Sequence, residues 1–194
     1  MVYRDLYEFC QTIKQVPVST KTIEEKIKEF FPSLSYKVIV SGLDITRVRG
    51  FFLSSENSDH PFVRQAGGSN VIVLARGLDE NWRRFIKVKE LMHVFDQGLD
   101  RVNAGADLET LLLEMFEPAG NGKSTFLRSD ARAVVMALAL FCPESIRAHL
   151  VAEVNDGKLT AEDMASRLRL PNHLAHALLR DNYKQLVSKV MEEC

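Results

Sequence analysis

All the strand signals in this chain fall between residues 36 and 75, and everything outside that window reads as helix. Residues 36–40 (YKVIV), 46–53 (TRVRGFFL) and 70–75 (NVIVLA) are short, rich in β-branched and aromatic side chains, and bounded by Gly, Ser or Asn. The stretch SSENSDHP between the second and third is a polar loop. Nothing long enough for a crossover separates the first two strands, so the spacing predicts an antiparallel or mixed sheet. Such a sheet is expected to pack against the helix over 79–97 and the apolar helix over 130–142. The expected fold is therefore α+β: a small three-stranded twisted sheet packed on a helical core, with extra helices at both ends.

The helical segments carry their own periodicity. Leu6, Phe9, Cys10 and Ile13 form one apolar stripe, and Ile23, Ile27, Phe30 and Phe31 form another, with Thr20 or Thr22 as its cap and Pro32 ending it. From Asp79 to about Gln97 the apolar face is Phe85, Val88, Met92, Phe95 and Leu99, while Lys89, His93 and Asp96 make a separate polar stripe. A short helix is expected over 107–116. Residues 130–142 are apolar nearly all round, which predicts a buried helix. Three more helices are expected near 143–155, 160–168 and 171–192. The chain of 194 residues suits one full core with a small appended part, which we place as 1–155 and 156–194.

Charge narrows the function. Lys plus Arg number 25 and Asp plus Glu 26, so the chain lacks the basic excess of a polyanion binder, and nucleic acid is not expected as a partner. Cys10, Cys142 and Cys194 are odd in number and widely spaced, and read as reduced thiols. The N-terminal residues have early acidic groups and no apolar core of a signal peptide, and the longest apolar run, 133–143, is too short for a bilayer. The expected location is cytoplasmic, with no membrane association.

The chemistry concentrates in residues 84–95, RFIKVKELMHVF. A zinc-peptidase helix reads H-E-x-x-H: two histidines one turn apart hold the ion and the glutamate activates water. Glu90 and His93 are in place, but Lys89 stands at the first histidine. A charged amine has three donors and no lone pair, so it cannot ligate zinc. A third ligand must come from another element, and Asp130 is the candidate, being the only acidic residue on the apolar helix. Asp130 also suits the start of a helix on dipole grounds alone.

These residues resemble the ImmA/IrrE family of bacterial and phage zinc metallopeptidases. Its pattern is roughly R-F-x-x-x-H-E-L-x-H, matched here by Arg84, Phe85, Glu90, Leu91 and His93, with Lys89 as the departure. RVRGFFLSS and SNVIVLARG resemble the two strands that precede the motif in the family. DARAVVMALALFCP resembles its downstream helix E-x-x-A-x-x-F-A-x-x-L-L-x-P, with Ala133, Ala137, Leu140 and Pro143 matching and Asp130 at the third-ligand glutamate. The resemblance covers about residues 36–180 and implies a zincin-like, gluzincin-type core. It also implies that Lys89, His93 and Asp130 are the remnant of a metal site and Glu90 a vestigial catalytic base. Aspartate is one methylene shorter than glutamate, so Asp130 is expected to fall short of an ion. The expectation is no cofactor, with zinc as the alternative, in a site rebuilt from Glu90, His93, Asp96 and Asp130.

Other motifs weigh less. EPAGNGKST (117–125) imitates a phosphate loop, but Glu117 replaces the first glycine and the preceding element reads as helix. His173 and His176 lack a third ligand. The segment LTAEDMASRLRLPNHLAHALLRDNY has a helix-turn-helix cadence, yet Asn172, His173 and Arg180 are a thin set for reading bases. The functional expectation is a catalytically inactive peptidase-fold protein that binds a protein or peptide partner in a regulatory role. The alternatives are a metallopeptidase with a non-standard metal site and a DNA-binding transcriptional regulator.

Overall fold

The computed structural model describes residues 2–96 and 125–193, of which 125–128 are described by their backbone alone. The expected helix over 107–116, all but the last residue of EPAGNGKST, Leu99 and Cys194 lie outside these residues. Elements run in the order α1 (Val2–Gln11), α2 (Thr20–Phe30), β1 (Tyr36–Ser41), β2 (Gly50–Leu53), α3 (Pro61–Gln65), β3 (Asn70–Ala75) and α4 (Glu80–Leu91), with a 3-10 turn over Met92–Phe95. Then follow α5 (Thr125–Phe141), α6 (Glu144–Asn155), α7 (Ala161–Leu168), α8 (Asn172–Leu178) and α9 (Tyr183–Glu193). Among the described residues no single helix is long and apolar enough to cross a membrane. The chain divides into two compact units, 33–134 and 1–32 with 135–194.

The first unit holds the sheet. It is mixed, in the order β1-β3-β2, with β1 parallel and β2 antiparallel to β3. The first two strands are therefore not neighbours, because β3 lies between them. Val71 to Ala75 are all buried, the signature of a central strand covered on both faces. On one face Val71 and Val73 pack with Val63 and Ala66 of the α3 region, joined by Ile39, Phe51 and Leu53. The short α3 follows directly on the polar loop and is absent from the sequence expectation. Pro61 opens it, and His60 Nδ1 accepts from the Phe62 amide.

On the other face α4 lies against β2 and β3. The approach is close: a Cβ at Gly50 would lie 2.5 Å from Ile86 Cγ2 and 2.7 Å from the Val73 carbonyl oxygen. Only glycine fits there without moving the backbone of β3 or the helix. Asp79 caps α4 by accepting from the Trp82 amide at 2.8 Å. The α-helix ends at Leu91, short of the expected Gln97, and tightens into the 3-10 turn that carries His93. β2 is also shorter than expected. Residues 46–49 are drawn into a turn, in which Asp44 accepts from the Thr46 amide and hydroxyl and its carbonyl accepts from Arg47 and Val48.

The second unit contains α1, α2, the later part of α5, and α6 to α9. The Tyr3 hydroxyl donates to the Met136 carbonyl at 3.0 Å, tying α1 to the apolar helix. Gln11 bridges two elements, donating to the Ala139 carbonyl and accepting from the Glu144 amide. α2 begins at Thr20 with Ser19 as its flanking residue, so neither Thr20 nor Thr22 is the cap. The helix expected over 171–192 is split into α8 and α9. Asp181 and Asn182 are poor helix formers, and the Leu178 carbonyl, released at the break, accepts from Arg147 Nη1 at 2.7 Å. α7 carries a full capping box between Thr160 and Asp163 and ends at Arg169, whose φ of 50° makes the turn into α8.

Candidate functional site

The site forms because two sequence patterns place charged groups on core-facing surfaces. On α4 the apolar Phe85 and Val88 are buried, as is Met92 in the 3-10 turn, and the polar residues beside them are buried too: Lys89 and Glu90 on the helix and His93 in the turn. On α5, Ser129 and Asp130 precede the apolar run and are equally buried, at 4 % and 2 % exposure. Charges removed from water to this degree must find partners or be neutralised.

They find each other. Lys89 Nζ donates to Asp130 Oδ1 at 2.6 Å and to Glu90 Oε1 at 3.0 Å. His93 Nε2 lies 3.1 Å from the same Asp130 Oδ1 atom and 3.6 Å from Glu90 Oε2. The other imidazole nitrogen, Nδ1, stands 2.6 Å from Asp96 Oδ2. Asp96 is held in turn, accepting from Ser129 Oγ at 2.7 Å and from the Arg132 guanidinium. Phe52 of β2 lies over the imidazole, with ring centroids 6.4 Å apart and planes 27° from parallel. The structure thus brings together all four sequence-derived residues, Lys89, Glu90, His93 and Asp130. Asp96, part of the polar stripe, joins them. Ser129 and Arg132 were not foreseen, although their spacing of three on one helix face beside Asp130 was available as a signal.

The electrostatics follow from this geometry. Burial works against charge on Lys89, but the adjoining carboxylates of Glu90 and Asp130 outweigh it and raise the amine's pKa. Burial likewise opposes charge on His93, and the bonds to Asp130 and Asp96 override it, raising the imidazole. Burial pushes Asp130 up, while the Lys89 charge and the His93 bond push it down further, to well below the usual carboxylate range. Asp96 is lowered against its own burial by His93, Ser129 and Arg132. A carboxylate on each side of the ring favours a proton on both nitrogens. Among the described residues the cluster then pairs three carboxylates (Glu90, Asp96, Asp130) with three cations (Lys89, His93, Arg132).

A zinc ion does not fit the site as it stands. Ligand atoms of Glu90, His93 and Asp130 lie within 4.8 Å of one another, close enough to converge on a cation. Yet the Asp130 oxygen nearest His93 is already bonded to an ammonium, and its closeness to Nε2 favours a proton there over a lone pair. Lys89 and His93 together supply two positive charges to these carboxylates, as many as a divalent ion would. Asp130 Oδ1 lies within hydrogen-bond distance of His93 Nε2.

Elsewhere the groups offer less. Burial pushes the thiols of Cys10 and Cys142 up to about 12, so neither is a nucleophilic thiolate at neutral pH. His173 and His176 are exposed on α8, where Leu174, Ala175, Ala177 and Leu178 turn inward, and the helix shows no lysine or arginine before Arg180. In the unit formed by 1–32 and 135–194, a cavity of about 210 Å³ is lined by Tyr7, Gln11, Cys142, Glu144, Tyr183 and Lys184, among others. The Tyr183 hydroxyl is buried there without a hydrogen-bond partner among the described residues.

Comparison with protein-family models, with curated proteins and with solved structures finds no match to this chain.

Proposed function

We propose that this chain is a catalytically inactive, ImmA/IrrE-like peptidase-fold protein that serves as a regulatory or protein-binding module. One observation carries the reading: the Lys89 ammonium is seated on Asp130 and Glu90 inside a buried cluster. In a working peptidase of this motif type, the glutamate takes a proton from a metal-activated water. Here the carboxylate that would do so is salt-bridged to an amine and has no exposed surface. Water not polarised by an ion keeps its high pKa, and one paired carboxylate gives little rate. The regulatory role and the protein or peptide partner rest on analogy with the family, whose active members cut repressor-type proteins. A zincin-like core belongs to the same proposal and is supported by the order of β2, β3 and α4 and by Asp130 on a later buried helix.

The convergence of Glu90, His93 and Asp130 favours one competing reading, a metallopeptidase with an unusual ligand set. Peptide hydrolysis with and without added zinc separates the two. The proposed reading expects any residual activity of a preparation to survive Glu90→Gln unchanged, which marks it as contamination. A clean loss of activity in that variant, with the fold intact by circular dichroism, supports the metallopeptidase instead. No feature of α7 and α8 favours the DNA-binding alternative.

A further inference from the structure

We infer that Lys89 alone keeps this site from holding a divalent cation, and that its amine acts as a tethered replacement for the ion. The inference rests on the reading of Lys89, His93 and Asp130 as an altered peptidase metal site. It goes further by assigning the alteration to one side chain.

Three observations carry it. First, the shorter carboxylate is no obstacle. Two ligand atoms on a tetrahedral zinc with bonds of roughly 2.0–2.1 Å lie roughly 3.3 Å apart. His93 Nε2 and Asp130 Oδ1 are 3.1 Å apart, so the pair already has nearly that spacing. Second, the outer support of a ligating imidazole is assembled. Metal-bound histidines commonly donate their far nitrogen to a carboxylate, which fixes the ring. His93 Nδ1 does so to Asp96, and Asp96 is anchored by Ser129 and Arg132. Third, position 89 is aimed at the right atom. Its side chain and that of His93 meet on one Asp130 oxygen, so a ligating side chain at 89 starts from the same convergence. What the site lacks is a lone pair at position 89 in place of an ammonium.

The test uses the full chain, zinc alone as the probe, and four proteins: the parent, Lys89→His, Lys89→Cys and Lys89→His with Asp130→Asn. Zinc per chain is measured by mass spectrometry after dialysis, and cobalt is substituted to read the visible bands of a tetrahedral centre. The expected result is one zinc per chain in Lys89→His, bound at least about 100-fold more tightly than by the parent, with the gain lost when Asp130→Asn is added. Lys89→Cys guards against a ring that does not fit, because a thiolate is a zinc ligand without one. Zinc uptake by either single variant supports the inference. If neither takes up more zinc than the parent, the inference is overturned, whether the variants are folded and empty or stay unfolded in excess zinc. Stoichiometric zinc in the parent is a different failure: it removes the metal-free reading on which the inference rests.

Discussion

Two clusters in this protein use the same kinds of side chain in opposite settings. In the unit spanning 33–134, Lys89, Glu90, His93, Asp96 and Asp130 have side-chain exposures of 4 % or less. In the other unit, Glu144 pairs with Arg147 and Lys184 at 2.7 and 2.9 Å, but its side chain is 33 % exposed and that of Lys184 is 63 % exposed. Distances alone would rank the clusters as equals. Burial separates them: water screens Glu144 and Lys184 and can solvate either one left alone, whereas the first set is closed to water. The buried cluster is therefore a set of mutually dependent groups, and the second a pair of contacts on one partly exposed carboxylate, Glu144.

The largest expected effect follows from removing the cation at the centre of the buried cluster. Lys89→Met is expected to destabilise the fold by about 3 kcal/mol in urea unfolding, because Asp130 and Glu90 lose the ammonium between them in a site closed to water. Adding Asp130→Asn is expected to return about 1 kcal/mol of that loss, and the non-additivity measures the coupling directly. If the two changes simply add, the groups are independent and the contrast between the clusters fails.

Next in size is the pH dependence. The His93 pKa is raised by folding, so its contribution is fully present below the unfolded value near 6.5 and is lost as pH rises through the higher folded value. Asp130 and Asp96 are lowered, so their contribution is present above the unfolded value near 3.9 and is lost as pH falls toward their folded values. Stability is expected to be highest between these limits, at about pH 4–6.5, and to decline on the alkaline side. Urea midpoints measured across pH 5–9 check this, and His93→Gln is expected to flatten the alkaline decline. An unchanged decline in that variant would assign it to another group.

The smallest effects belong to the exposed cluster. Glu144→Gln is expected to cost about 1 kcal/mol, since Arg147 keeps the Leu178 carbonyl and its place over the Tyr183 ring. Lys184→Ala is expected to change stability by no more than about 0.5 kcal/mol. A loss at Lys184 as large as that at Lys89 would show that burial is not what separates the two clusters.

How much of this was legible in the sequence divides along similar lines. The α4 stripe and the apolar α5 were readable because a helical period of 3.6 fixes which side chains share a face. Asp130 was readable because a lone acid on an otherwise apolar helix demands a partner. Position 89 was readable through valence: an ammonium cannot replace an imidazole as a ligand, yet it can neutralise the acids around it. The place of β3 between the other strands was not foreseen, although its continuous apolar run pointed to a central strand. The spacing of Ser129 and Arg132 put them on one helix face beside Asp130, but their contacts to Asp96 join residues more than thirty positions apart, and the period does not name that partner. The split between α8 and α9 had a local signal in Asp181 and Asn182, while the bond from Arg147 to the Leu178 carbonyl at the break is long-range and no local pattern registers it.

The central claim is that Lys89 stands in for an ion, and the most direct measurement is the metal content of the parent chain purified without chelator. The account predicts well under one zinc per chain by mass spectrometry, unchanged in His93→Ala. Stoichiometric zinc that disappears in His93→Ala would contradict it.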